Sequence, residues 1–239
     1  MRKSLAIVPA LMLAAACSVG AQTNQHQASG QRGQRSFDVG AFHGVSLRGS
    51  HDVIVTVGGQ PSVRAEGDSA ALDGLDIRVE DGVLRVGTQR GWSWNGPGGH
   101  VTVHVTAPAI DSASIGGSGD LRIDRVQAQD FDASISGSGD MEIGTLQARQ
   151  ADFSIAGSGN IRAAGTAEEV EVEIAGSGDA TLEALNARRV DVSIMGSGGV
   201  SIGASESVSG SIMGSGDVTV RGGARCSVSR MGSGDVSCG

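Results

Sequence analysis

Ser134-Ile135-Ser136-Gly137-Ser138-Gly139-Asp140-Met141-Glu142-Ile143 is the stretch that decides how this chain folds. Its Gly-Ser-Gly, followed by one small polar residue, recurs along the second half of the sequence. The fourth positions are Asp120, Asp140, Asn160, Asp179, Gly199, Asp217 and Asp235, in steps of 20, 20, 19, 20, 18 and 18 residues. Such a period marks stacked supersecondary units rather than one closed core.

Aligning the copies gives columns. Two residues before each first Gly stand Ile115, Ile135, Ile155, Ile174, Ile194 and Ile212, then Arg230. Directly after the fourth position come Leu121, Met141, Ile161, Ala180, Val200, Val218 and Val236. Two further on are Ile123, Ile143, Ala163, Leu182, Ile202, Val220 and Cys238, with mostly polar residues between the two columns. Apolar-polar-apolar spacing is a strand with one buried face. Each unit therefore offers two short strands that meet at the Gly corner, where positive φ is tolerated. Neither strand can shield its apolar side alone, so the units must stack at about 4.8 Å with like residues in ladders. The expected fold is all-β, a right-handed parallel β-helix or β-solenoid with 18–20-residue coils. A propeller blade would need about 40 or more residues.

The organisation outward from that repeat follows. Residues 111–239 hold the regular coils and 36–110 are expected to form larger, irregular coils that cap one end. Gly49-Ser50-His51-Asp52 reads as a degenerate first copy of the motif, and Asp81-Gly82 as a hairpin turn. Residues 22–35 contain almost nothing to bury and are expected to be a flexible tether. At the other end, Arg230 puts an inward charge where earlier coils have Ile, which discourages another coil from docking. Cys226 and Cys238 stand in Val or Ile columns, and in an oxidising compartment they could pair and tie down this end.

Residues 1–21 read as an export signal, with Arg2 and Lys3 ahead of the apolar run Leu5–Ala16. Two cleavage sites compete. Val19-Gly20-Ala21 suits an ordinary signal peptidase. Leu13-Ala14-Ala15-Ala16-Cys17 resembles a lipobox, which would end the signal at 16 and place lipid on Cys17, although Ala14 stands where Leu is usual. The expected location is the periplasm, outer membrane or cell surface, with membrane contact only through that anchor. Lys3 is the sole lysine, and the formal charge of −8 becomes more negative once the signal leaves. Such a surface is a poor match for nucleic acid, whose phosphates need basic contacts.

The chain resembles the putative autotransporter adhesin head GIN domain family. The resemblance rests on Phe42-His43-Gly44-Val45-Ser46-Leu47, Val53-Ile54-Val55, Val63-Arg64-Ala65-Glu66-Gly67-Asp68, Val79-Glu80-Asp81-Gly82-Val83-Leu84-Arg85-Val86 and the recurrent Ser-Ile-x-Gly-Ser-Gly-Asp. It spans about residues 36–239 and implies an exported bacterial β-helix with no established activity. The autotransporter label also implies a C-terminal membrane barrel. None follows here before Gly239, so self-translocation is not expected.

Chemistry is sparse. The motif residues Asp120, Asp140, Asn160, Asp179, Asp217 and Asp235 are expected to accept backbone N–H groups at their corners, as such side chains do in turns. Calcium is the alternative, but known calcium rolls repeat about every nine residues and each coil here supplies one motif carboxylate. Catalysis needs acid, base and electrophile to converge at one place, whereas these acids are periodic; Glu168, Glu169, Arg188 and Arg189 read as a solvated face. No enzyme, cofactor or metal is expected. His100 and His104 would lie about 13 Å apart along a strand, too far to share an ion. Trp92 and Trp94, in a Gly-rich loop, could bind a sugar or partner, or pack across the cap. Met195, Met213 and Met231 stand beside the corner and are expected to fill a groove. The functional expectation is a noncatalytic adhesion-type module that contacts polysaccharide or another envelope protein. A purely structural spacer is the alternative, and a calcium-binding or polysaccharide-active protein a more distant one. The sequence sets no oligomeric state.

Overall fold

A computed structural model describes residues 24–26, 29–94 and 99–239. The signal segment and Cys17 lie outside the described residues. The described residues are nearly all-β, wound into a solenoid of about six turns of stacked parallel coils. Four successive windings are the long strands Met141–Gly157, Ile161–Gly176, Ala180–Gly196 and Val200–Gly214, each running from one Gly corner to the next. The two short strands expected per unit are thus one bent strand. The bends coincide with register shifts after Ile143, Arg162 and Leu182, where a bulge absorbs the turn without breaking the ladder.

The core is the predicted set of columns. Ile115, Ile135, Ile155, Ile174, Ile194 and Ile212 pair in register from coil to coil, and each is buried. Leu47 extends this column by one coil toward the N-terminus. Burial of one such side chain contributes roughly 1.5–3 kcal/mol, so the stack of apolar ladders is the main stabilising term. Size alternates where bulk would collide. Phe131 stacks on Ala151, and Ala133 on Phe153, so each ring lies over a methyl group.

The corners need glycine for two reasons. Gly137, Gly157, Gly176, Gly196 and Gly214 have φ between 133° and 146°. A Cβ on Gly157 would also lie 2.2 Å from the Gly137 carbonyl oxygen. That oxygen accepts from the backbone N–H of both Ser158 and Gly159, at 2.9 and 3.2 Å. The corners therefore sit closer than any side chain allows.

The N-terminal part differs from expectation. Gly44–Gly49 and Asp52–Val57 do form a coil, stacked on Ser112–Gly117 and Leu121–Ile123. That coil is not outermost. Val83–Thr88 and Val101–Ala107 pair in parallel with its other edge. Beyond them the pairing turns antiparallel: Leu75–Glu80 on Val83–Thr88 across the Asp81-Gly82 turn, Ser62–Asp68 on Val101–Ala107, and Arg32–Phe37 on Ser62–Asp68. The cap is thus built of antiparallel strands and a single turn of helix, Ser69–Asp73, rather than of enlarged coils. Residues 32–35, read from the sequence as tether, instead open the strand Arg32–Phe37.

At the other end, Arg225–Gly232 and Val236–Cys238 complete the last coil. Cys226 and Cys238 are joined by a disulfide with a Cα–Cα distance of 6.6 Å. Arg230 stands in the Ile column but does not point its charge inward. It is exposed and donates to the Gly234 carbonyl at 3.1 Å, close to the Asp235 carboxylate. Among the described residues no helix is long and apolar enough to cross a membrane.

Candidate interaction surfaces

The motif carboxylates form a ladder between coils. Asp140 N–H donates to Asp120 Oδ1 at 3.1 Å, and Asn160 N–H to Asp140 Oδ1 at 3.0 Å. Asp179 N–H donates to Asn160 Oδ1 at 3.1 Å, and Gly199 N–H to Asp179 Oδ1 at 2.7 Å. Asp235 N–H does the same to Asp217 Oδ1 at 2.7 Å. Each side chain thus accepts from the next winding, not from its own corner as the sequence reading has it. Gly199 has no side chain, so the ladder skips Asp217. Asn160 also donates its amide to Asp140 Oδ1 at 2.9 Å, which no carboxylate could do. These residues are occupied with architecture, and their oxygens do not converge on one point.

A second acidic ladder lies on an outer face. Asp132, Asp152, Glu171 and Asp191 pair in register on four adjacent coils. Partial burial and the neighbouring carboxylates push Asp132 above the usual carboxylate range; Asp152, Asp111 and Asp130 contribute in that order. Burial, Asp152, Glu173 and Asp191 do the same to Glu171. Ser209 donates to Asp191 at 2.8 Å and ends the ladder. Next to it, Glu169 pairs with Arg189, while Glu206 takes both Arg188 and Arg189. Among the described residues no group of three or more His, Cys, Asp or Glu side chains has the arrangement of a metal site.

The histidines sit at the cap. Val101, Val103 and Val105 point inward, and His104 Nε2 meets Glu66 Oε1 on the outside at 3.1 Å. That hydrogen bond holds Glu66 below its ordinary range. His51 was not singled out from the sequence. It occupies the third motif position, the slot of the second glycine, so that a Cβ on Gly119 would lie 2.0 Å from its carbonyl oxygen. Its ring is buried, with Nε2 3.1 Å from Thr88 Oγ1 and Nδ1 lacking a partner. Burial and the nearby His100 push its pKa down, against a smaller opposing pull from Asp52. A His where every later coil has Gly was the signal that could have found it.

Trp92 belongs to the strand Trp92–Trp94, which pairs in parallel with Asn24–His26. Its indole is half-buried against Gly74, at the end of the short helix; a Cβ on Gly74 would lie 2.2 Å from Nε1. Trp92 therefore packs on the cap, and the side chain of Trp94 lies outside the described residues. A shallow groove of about 820 Å³ lies over the cap strands Arg32–Phe37, Ser62–Asp68 and Val101–Ala107, lined by Arg32, Glu66, Asp68, His100 and Thr102 among others. A second, of about 590 Å³, follows the bulged side of the coils past Thr166, Asn186, Arg188 and Arg221. In the first, Glu66 is engaged by His104, and Asp68 accepts from Ser29, Gly30 and Ala70.

Met195, Met213 and Met231 pair in register on the last three coils. They do not fill a groove as expected, being 54, 50 and 74% exposed. Alternation explains why: Met195 and Met213 follow the inward Ile194 and Ile212 and so must face out, and Met231 pairs in register with Met213.

Comparison with known proteins agrees with this architecture. The family model described as "Putative auto-transporter adhesin, head GIN domain" matches residues 41–224. A putative adhesin from Bacteroides fragilis is 21% identical, with a TM-score of 0.83 over 89% of this chain and 99% of that one. A putative lipid binding protein from Parabacteroides distasonis is also 21% identical, with a TM-score of 0.74 over 90% and 100% of the two chains. A putative adhesin from Parabacteroides merdae is 18% identical, with a TM-score of 0.73 over 90% and 99%. At these identities the likeness is one of fold. No curated protein matches the chain.

Proposed function

The chain belongs to the auto-transporter adhesin head GIN domain family, and on that footing we propose that it is a noncatalytic, exported interaction module of the cell envelope. The observation that carries this reading is the outer surface of the solenoid. Its side chains are in-register ladders of short polar groups, such as Ser114, Ser134, Ser154 on successive coils. A ladder repeats one contact every ~4.8 Å along a flat face. That suits an extended partner which offers its own repeating groups, a polysaccharide or an envelope protein strand. It does not suit a reaction, which needs unlike groups gathered at one point.

Export rests on residues 1–21, and the intact mass of the mature N-terminus distinguishes a lipidated Cys17 from a free Gln22. The binding reading is tested by a glycan array and by pull-down with envelope fractions. Saturable binding is expected, weakened when the exposed serine ladder is altered in Ser134→Arg/Ser154→Arg at unchanged melting temperature. No binding to either class of partner, or turnover of an acidic polysaccharide by the purified protein, would sink it.

A further inference from the structure

We propose that Met195, Met213 and Met231 form a three-thioether site for a soft monovalent cation of the Cu(I) type. The site is independent of the adhesion reading, since it lies on the last three coils and uses none of the residues invoked there. Register is the first argument. Met195 pairs with Met213, and Met213 with Met231, so their Cα atoms are about 4.8 Å apart on parallel strands. All three side chains leave the same face. Methionine is unbranched with three rotatable bonds, so three sulfurs starting at that spacing can lean toward one point above Met213.

Exposure is the second argument. These are the exposed large apolar side chains of the described residues, at 54, 50 and 74%. Core packing does not account for them. The equivalent positions in earlier coils are Ser136, Ala156 and Ala175, which shows that the fold does not require a long side chain there.

The third argument is selectivity. On the same face the flanking ladder is Ser193, Ser211 and Ser229, and beyond the corner come Ser197, Ser215 and Ser233. The Arg230 guanidinium is turned away to Gly234 and Asp235. No carboxylate or imidazole stands in the Met column. Hard cations such as Ca²⁺ or Mg²⁺ need oxygen ligands, and Zn²⁺ takes thiolate, imidazole or carboxylate. Neutral thioethers favour Cu(I). Cys226 and Cys238 do not compete while they are bonded to each other.

The experiment titrates the mature protein with Ag(I), as a redox-inert probe, and anaerobically with Cu(I) held reduced by ascorbate. Binding is followed through the methionine methyl NMR signals. The expected result is one ion per chain in both arms, with shifts at Met195, Met213 and Met231 and none at Met141, which is buried in the core. Met213→Leu should abolish the one-to-one complex. Met195→Leu/Met213→Leu/Met231→Leu should remove all shifts while leaving the melting temperature unchanged, because these side chains face solvent. Stoichiometric binding that survives the triple substitution overturns the proposal, as does an unshifted spectrum of the native protein at equimolar Ag(I) and Cu(I).

Discussion

The two ends of the solenoid are closed by different means. At the N-terminal end the outermost parallel strands are covered by antiparallel partners and a short helix. At the C-terminal end Arg225–Gly232 is paired on one edge only, and a disulfide holds the last winding. One end is sealed by added structure, the other by a covalent tie. The difference implies that stability is graded along the stack. Windings between two neighbours open only with the whole, and the last one can open alone.

The sharpest way to break this picture is to make one substitution at two places. In Gly157→Ala the new Cβ meets the Gly137 carbonyl and the backbone is held at φ 136°. The expected loss is about 3 kcal/mol or more, read from denaturant melts. Gly232→Ala meets the same kind of obstacle in the last coil. Fraying relieves it there, so the expected global loss is under about 1 kcal/mol. Equal losses would show that the stack unfolds as one unit.

Removing the disulfide is next. Cys226→Ser/Cys238→Ser should destabilise the last coil by ~2–3 kcal/mol. Amide exchange should accelerate over residues 218–239 and stay unchanged over 141–196. Acceleration throughout would contradict a graded stack.

Acid should act on the two regions in opposite directions. His51 is buried and its pKa is lowered on folding. Unfolded protein therefore binds more protons than folded as pH falls below about 6.5, and the cap loses stability down to the depressed folded value. Asp132 and Glu171 have raised folded values. They are destabilising above those values and relieved as pH drops through them, so the middle of the stack gains. His51→Gln should abolish the loss near pH ~6, and Asp152→Asn should raise neutral-pH stability. A melting temperature with the same pH dependence in His51→Gln would remove His51 from the account.

The smallest effect is a gain. Gly199→Asn restores a side-chain oxygen for Asp217 N–H, as Asn160 provides for Asp179. The added Cβ would lie 3.3 Å from Asp179 Oδ1, a tight but adjustable contact. The expected stabilisation is about 0.5–1.5 kcal/mol, measured by chemical denaturation.

The same contrast between stack and cap decides what could be read from residues alone. Ile135, Ile155 and Ile174 announce the core because a strict spacing leaves each only one place to go. The cap was less legible. Alternation in Val63-Arg64-Ala65 and in Val101-Thr102-Val103 gives the buried face of a strand but not the direction of its partner. Nothing local tells that 83–107 will lie outside 44–57. The motif carboxylates are legible as acceptors at the corners, but their donors are not, because each donor N–H stands one winding away and about 20 residues along the chain. For the methionines parity decides and hydrophobicity does not: Ile194 faces in, so Met195 faces out.

In-register pairing has a last consequence, for how such a chain can change length. On the sides built from the Ile and Leu121 columns, one inserted residue would turn every following side chain over, so only an entire winding can be gained or lost. The bulged side beyond Ile143, Arg162 and Leu182 is the exception, because its register is already irregular. The spread from 18 to 20 residues between motifs is absorbed there. Insertions and deletions between relatives should therefore be either whole windings or small adjustments confined to that flank.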